Sequence, residues 1–515
     1  MPPSTIPSNA MKNCGVTSVR RGRCPDVFRA AETGYSAERP MRRADVERAA
    51  RVLAALAVAL VASLVSPVAS GEVFTESAKL LPSDGAPRDG FGVSVSVSGD
   101  VAVVGMYHDA CSAGVECGSA YVYRFVPGAP AQWVLEQKLT ASDAADDDYF
   151  GYAVAVSGDV VIVGAYGDDC VAGRECGSAY VYRFDRGAPA GPAWVEEAKL
   201  TASDAGAVDL FGASVSVTGN VAVIGAYLDY CGDEFFCGSA YAYRFDPGAA
   251  GGPAWVEEAK LTASDAAQED EFGVSVSVSG DVIVVGSYAD DCPAGLKCGS
   301  AYVYRFVPGA PGGPGWIEEQ KLTLSEPGAS DYFGTSVSVS GDVAVVGAYR
   351  DDCASGTNCG SAHVYRFDPT APAGWRWVEE AKLTAAYAAG YYGASVAIDG
   401  DMAVVGAVLD DCVGGESCGS AYVYRFNGSA WVPLPKLAAS DAAQEDWFGY
   451  SVSLSGQRAI VGAWFDDDNG TDSGSAYTFD FAAEIPAASP WGLGALTLVM
   501  LTAGSLVMRR RVVPA

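Results

Sequence analysis

A Phe-Gly step recurs through this chain at a nearly constant interval, and that recurrence limits the possible folds more than any other feature. It falls at Phe91, Phe150, Phe211, Phe272, Phe333 and Phe448, with Tyr392 taking the place of Phe once. Successive steps lie 59, 61, 61, 61, 59 and 56 residues apart. Thirteen positions after each Phe-Gly glycine comes a second glycine that ends an apolar run: Gly105, Gly164, Gly225, Gly286, Gly347, Gly406 and Gly462. A chain of this kind is an array of one supersecondary unit, each copy too small to bury its own apolar surface.

The copy around Phe272 defines the unit. Val274, Val276 and Val278 alternate with Ser275, Ser277 and Ser279, a period of two that predicts a half-buried strand. Gly280-Asp281 precedes a second apolar run, Val282 to Val285, and a glycine holds that turn position in every copy. Glycine takes a positive φ without steric cost, so these turns are expected to be two-residue hairpins of type II′ or I′. A third strand is expected over Ala301–Phe306 and, after a Pro/Gly-rich loop, a fourth over Trp316–Leu322. Four short antiparallel strands repeated seven times predict an all-β, seven-bladed propeller. The last copy stops after its third strand, Ala476–Phe481, whereas Phe74–Leu80 matches the fourth strand of the other copies. The N-terminal strand is therefore expected to complete the last blade and close the ring.

Phe-Gly-x-Ser-Val followed by Val-Gly-Ala-Tyr resembles the FG-GAP repeat of integrin-α-type propellers. The resemblance covers Phe74 to Phe481 and implies the propeller fold, with ligands met on the acidic-loop face. It leaves the activity open, because one scaffold hosts many functions.

The flanks carry targeting signals. Residues 1–40 read as a disordered leader or as an extension preceding the true start at Met41. Arg42, Arg43 and Arg51, the apolar run Val52–Val65 and the small residues Val68-Ala69-Ser70 predict a signal peptide over 41–70. The propeller spans 71–482. Residues 483–491 form a linker with Ile485-Pro486 and Pro490-Trp491-Gly492 at its end, 492–508 an apolar stretch, and 509–515 a basic tail. The apolar stretch is just long enough for a transmembrane helix, with the arginines cytoplasmic and the propeller outside. The tail resembles the bacterial IPTL/PEP-type C-terminal sorting signals, which implies surface display or release after clipping by a sorting protease. A GPI-type tail is the alternative.

Net charge is −30 for the whole chain, and residues 71–508 keep 20 of the 33 basic and 58 of the 63 acidic residues, a net of −38. Such a surface repels nucleic acid and suits cationic partners or metal ions; it is also simply soluble. Twelve cysteines form six pairs at a spacing of six, each in the loop between the second and third strands: Cys111/Cys117, Cys170/Cys176, Cys231/Cys237, Cys292/Cys298, Cys353/Cys359 and Cys412/Cys418. The seventh copy has lost both members together. With an export signal, six intra-loop disulfides that stiffen those loops are expected; zinc is the alternative, though no His accompanies any pair. Each closure contributes roughly 2 kcal/mol on a chain-entropy estimate.

Strand order places the Cys loops and the loops entering each Phe-Gly step on one face, and both are acidic. Asp265, Asp270, Asp290 and Asp291 meet there, with Asp143, Asp148, Asp168 and Asp169 before them and Asp331, Asp351 and Asp352 after. Asp290, Asp291, Asp351 and Asp352 are candidate ligand contacts, and the competing reading makes such recurring Asp turn residues that cap their own backbone. Departures from the repeat point further. Tyr230, Asp233, Glu234, Phe235 and Phe236 in the third Cys loop are the expected contact hot spot, and the sixth copy has Tyr387, Tyr391 and Tyr392 in place of an acidic loop. The integrin-type calcium hairpin is missing, since a Ser-Gly-Asp turn cannot supply six to eight oxygens. Asp466, Asp468 and Asp472 make an incomplete calcium loop, or else a plain turn. His108 and His363 read as incidental, and no nucleophile elbow, metal motif or phosphate loop occurs. The chain is therefore expected to be non-catalytic and without an obligate cofactor: a surface recognition or adhesion module for a protein or glycan. The alternative is a structural envelope or matrix protein, and a hydrolase is the remote one.

Overall fold

In the computed structural model, residues 74–481 are described, apart from 129–130, 233–234, 311–312, 354–355, 373, 375, 386–389 and 414. The signal peptide, leader, sorting motif, membrane span and basic tail expected at the two ends lie outside the described residues. Twenty-eight strands form seven four-stranded antiparallel sheets. Counting blades from the first Phe-Gly step, blade four has strands Phe272–Ser279, Val282–Ser287, Ser300–Val307 and Gly315–Leu322, within one residue or two of the sequence expectation. Blade seven holds three strands from the C-terminal end of the propeller, and Phe74–Leu80 pairs with Ser475–Phe481 as the fourth, from Phe74 opposite Phe481 to Leu80 opposite Ala476.

Each hairpin between first and second strands has two turn residues, as in Ser279 opposite Val282. The leading glycine has φ near +60° (Gly280, 59°) while the following Asp is not in the positive region. That settles the turn as type II′.

Apart from Arg458 at the start of blade seven's, the second strands are buried along their whole length, which explains their continuous apolar runs. Alternate residues face opposite neighbours: Val101 and Val103 pack with blade two's Phe150, Val161 and Tyr180, whereas Ala102 and Val104 pack with Ile460 and Ala476 of blade seven. The apolar core therefore lies between blades, not within them.

Two further contacts join the blades. The serines that alternate along the first strands accept hydrogen bonds from the free backbone edge of the next blade's first strand: Val154 and Val156 N–H donate to Ser94 and Ser96 Oγ, each at 3.0 Å. Across the closure, Val97 N–H donates to Ser453 Oγ at 3.0 Å. The edge strand nearest the axis is thus capped by side chains.

The second-strand glycine of each unit meets the Phe-Gly glycine of the next blade. A Cβ on Gly286 would fall deep inside the carbonyl oxygen of Gly334, the Phe-Gly glycine of the next blade, and the same holds for Gly105 with Gly151 and, at the closure, Gly462 with Gly92. Ser275 Oγ–H donates to that same Gly334 carbonyl at 2.8 Å. Gly286→Ala is expected to lower the thermal midpoint sharply, with a loss above about 3 kcal/mol, since backbone must move to admit the methyl. Gly280→Ala, at a hairpin tip with nothing within 4 Å, is expected to cost about 1–2 kcal/mol from its left-handed φ alone. Equal midpoints for the two variants in parallel melts would refute the interlock.

Candidate functional site

The face formed by the Cys loops and the approach loops is the candidate site. All six expected disulfides are formed: Cys111–Cys117, Cys170–Cys176, Cys231–Cys237, Cys292–Cys298, Cys353–Cys359 and Cys412–Cys418. Both members of each pair lie between the second and third strands, as expected, but they differ in burial. The first member of each pair is half-buried in its loop, but Cys117, Cys176, Cys237, Cys298, Cys359 and Cys418 are buried in the core. The reason is backbone pairing between blades. Phe150 N–H donates to the Cys117 carbonyl at 3.0 Å, and the bond recurs from Phe211 to Cys176, Phe272 to Cys237, Phe333 to Cys298, Tyr392 to Cys359 and Phe448 to Cys418, all within 2.9–3.2 Å. Each disulfide therefore ties an exposed loop to a seam between blades rather than merely stiffening the loop. At the closure Phe91 N–H donates to Ser473 O, in the cysteine's place. There Asp466, Ser473 and Asp467 brace the blade-seven loop instead, through bonds to the Asp468, Asn469 and Asp472 amides.

The recurring aspartates of this face are committed to the fold. In blade four the Lys321 ammonium pairs with Asp265 at 2.8 Å and Asp290 at 2.5 Å. Tyr302 O–H points at the same two carboxylates, 2.7 Å from Asp265 and 3.3 Å from Asp290. Lys199 and Tyr180 repeat this with Asp143 and Asp168, and Lys260 and Tyr241 with Asp204 and Asp229. Burial works against ionisation of Asp143, Asp204 and Asp265, but the bonds from lysine and tyrosine win and hold all three below the usual range. Asp291 and Asp352, expected as contacts, cap the Lys297 and Asn358 amides at 2.9 Å. Asp351 is buried and held at about 2: burial opposes its charge, while His363, Lys382 and Ser361 favour it. Asp291 and Asp352 thus follow the competing turn-and-cap reading, whereas Asp290 and Asp351 are held by lysines.

His363 is not incidental. It replaces the tyrosine of the other blades and lies buried, with Nε2 2.8 Å from Ser361 Oγ and Nδ1 2.8 Å from Glu379. The Asp466–Asp472 loop follows its plain-turn alternative. Asp466 Oδ2 meets the Lys79 ammonium at 2.9 Å and Tyr477 O–H at 2.6 Å, and Asp468 pairs with the same ammonium. Asp472 engages Asp467 through its own amide. A lysine from the ring-closing strand thus occupies the position a cation would take, and among the described residues no cluster of metal-ligating side chains has the geometry to hold an ion.

Aromatic residues remain free of this network. In blade three Tyr230 is 41% and Phe235 50% exposed. Their ring centroids lie 5.3 Å apart, and Phe236 is 5.9 Å from Tyr230. Phe235 and Phe236 are not buried against their own blade; Asp233 and Glu234, between them and Tyr230, lie outside the described residues, as does Tyr387. Tyr392 is core, its O–H donating to Tyr424 Oη at 2.9 Å.

A second aromatic group was not foreseen from the sequence. Tyr107 and Tyr166, from the ends of second strands, meet Tyr149 and Tyr152: Tyr107 lies 5.5 Å from Tyr152, and Tyr166 lies 5.0 Å from Tyr149 and 4.7 Å from Tyr152. Tyr152 is thus flanked by a tyrosine of blade one and another of its own blade. Across the ring Tyr332, Tyr349 and Tyr391 surround the Arg350 guanidinium at 5.0, 5.3 and 5.7 Å, a cation–π arrangement. The signal was present in the residue preceding each Phe-Gly step. That residue has left-handed φ in every blade, and it is Gly90 only once; elsewhere it is Tyr149, Leu210, Glu271, Tyr332, Tyr391 or Trp447. Such a conformation costs roughly 1–2 kcal/mol without glycine.

The FG-GAP repeat profile matches residues 74–123, 133–182, 194–243, 255–304, 316–365, 377–424 and 431–479. The chain belongs to the FG-GAP repeat family. Each matched segment of this FG-GAP protein begins on a fourth strand and ends within the next blade's third, so the repeat in sequence is offset from the blade in space. The segment beginning at Phe74 is the one that supplies the closing strand. No curated protein matches the chain.

Two outcomes follow from the carboxylates. Asp148, Asp270 and Asp446 are pushed up to about 6, chiefly by burial. Unfolded carboxyls release their protons near pH 4. Between 4 and 6 the folded chain therefore binds more protons, and stability falls as pH rises through 6. The lysine-paired carboxylates act only below 4, where stability is lost as pH falls. The thermal midpoint is expected to peak near pH 4, and Asp270→Asn, which keeps an acceptor for the Ala267 amide, is expected to narrow the gap between pH 4 and pH 7.5. An unchanged gap counts against this assignment. Because Lys79 fills the blade-seven loop, millimolar calcium or its chelation is expected to leave the midpoint where it is; a rise with calcium would contradict that.

Proposed function

We propose that this FG-GAP propeller is an exported, surface-displayed and non-catalytic recognition module that binds a protein or glycan through its Cys-loop face. The observation that carries the reading is the exposed pair Tyr230 and Phe235 with half-buried Phe236 beside them, set on a face whose recurring aspartates are already paired. Phe236 holds a left-handed φ of 58°, a backbone cost that buys no core contact. Exposed aromatics of this kind supply large contact area at small entropic cost and dominate interface energetics. The disulfides, formed only in oxidising compartments as a rule, support export, and the signal peptide and IPTL/PEP-like tail provide the route and the anchor.

The test is a glycan and surface-protein array probed with the oxidised full-length chain. A hit weakened about tenfold or more by Phe235→Ala/Phe236→Ala is expected, as for central aromatic contacts worth at least about 1.4 kcal/mol. Silence from a folded sample would point instead to a structural role in the envelope.

A further inference from the structure

The ring departs from its repeat most where it closes. Blade seven's loop has no disulfide, and the approach loop to blade one carries Gly90, where an added Cβ would meet the indole of Trp464. Beside it opens a cleft of about 400 Å³, lined in part by Arg88, His108, Glu116, Trp464, Phe465 and Asp472. That volume lies in the range of small-ligand sites. The other hollow of note lies on the opposite face beside Arg458 and Asp480, which pair with each other at 3.0 Å.

We propose that the closure cleft is a binding site for a neutral sugar unit of a glycan. This rests on the recognition reading above and names its ligand class and a second location. Trp464 and Phe465 stack at 4.4 Å and 27°, and Trp447 meets Phe465 edge-on at 4.5 Å. Tyr107 supports Trp464 from blade one at 5.9 Å. The indole is thereby held rigid while still half-exposed. An aromatic face carries negative charge density and attracts the weakly positive C–H groups on one side of a pyranose ring.

The polar groups suit hydroxyls. A carbonyl oxygen can only accept, so the 3.2 Å contact between His108 Nδ1 and the Arg88 carbonyl puts the proton on Nδ1 and leaves Nε2 as an acceptor. Glu116 and Asp472 add carboxylate acceptors, and the exposed Arg88 guanidinium adds a planar set of donors. Donors and acceptors interleaved around an aromatic platform match a polyol that both gives and takes hydrogen bonds. Charge decides between sugars. A propeller of net −38 repels uronic and sialic acids, and Arg88 disfavours a cationic ligand at the same spot.

The experiment titrates the oxidised full-length chain with cellotetraose, mannotetraose, chitotetraose and tetragalacturonate, followed by tryptophan fluorescence and calorimetry. Saturable binding of at least one neutral tetrasaccharide is expected, weakened about tenfold or more by Trp464→Ala and by Arg88→Ala. Val171→Ser, a fully exposed change in blade two's Cys loop, is expected to bind as the parent does. Should Trp464→Ala fail to fold, Arg88→Ala decides alone, because that side chain is exposed. Silence toward all three neutral sugars, parental affinity in Arg88→Ala, or preference for tetragalacturonate overturns the proposal. An array hit that depends on Phe235 and Phe236 but not on Arg88 would keep the recognition reading and remove this one.

Discussion

Seven backbone contacts between glycines hold this ring to its geometry. Each second-strand glycine lies against the carbonyl of the next blade's Phe-Gly glycine so closely that neither blade could approach if a methyl intervened. Because the approach is set by backbone, the spacing between blades is the same wherever it occurs, and the interblade apolar layers are filled by closely similar sets of Val, Ala, Tyr and Phe. Dispersion and burial supply the stabilisation; the glycine pairs decide at what distance it is collected. The same contact explains why two glycines far apart in a blade recur together, since each is half of a joint completed by the neighbour.

The acidity of the loop face has a related origin. One lysine on each fourth strand, or just past it in blade six, reaches an Asp of the Cys loop and in most blades an Asp of the approach loop as well, with a third-strand tyrosine donating to these groups in most blades. A carboxylate so engaged has few lone pairs left for a ligand. Buried charge persists only where paired and hydrogen-bonded, and here it fastens loops to the blade beneath them. The large negative charge of the propeller therefore overstates the unpaired charge a partner would meet, which leaves the aromatic groups as the more distinctive chemistry of that face.

Most of the fold was legible in the sequence because a repeat multiplies weak signals. One alternating Val-Ser stretch is ambiguous; seven in register with a hairpin glycine are not. The disulfides and the closing strand followed from what the seventh copy lacks. That one cysteine of each pair is core did not, because the Phe that pairs with it belongs to the next blade. The site was less legible. Asp290 and Asp351 look alike in sequence whether they meet a ligand or a lysine some thirty residues downstream, and only the fold brings Lys321 and Lys382 to them. Lys79 shows the difficulty most sharply, since nearly 390 residues separate it from the Asp466 it neutralises. His363 seemed incidental for the same reason: its partner Glu379 lies on the neighbouring strand, sixteen residues away.

The position before each Phe-Gly step carries side chains that the ring's construction does not require. The backbone there is left-handed in all seven blades, and blade one uses glycine, so nothing in the ring's construction forbids it. Yet four blades place Tyr149, Tyr332, Tyr391 or Trp447 at that position, each at a conformational cost that glycine would remove. Their rings do not enter the interblade core; they meet Tyr166, Tyr349, Arg350 and Phe465 on the loop face, half-exposed. A structural scaffold would gain by exchanging them for glycine, whereas a surface that must present rigid aromatic area would not. The left-handed backbone thus aims these four rings along the loop face, an arrangement consistent with the proposed recognition role.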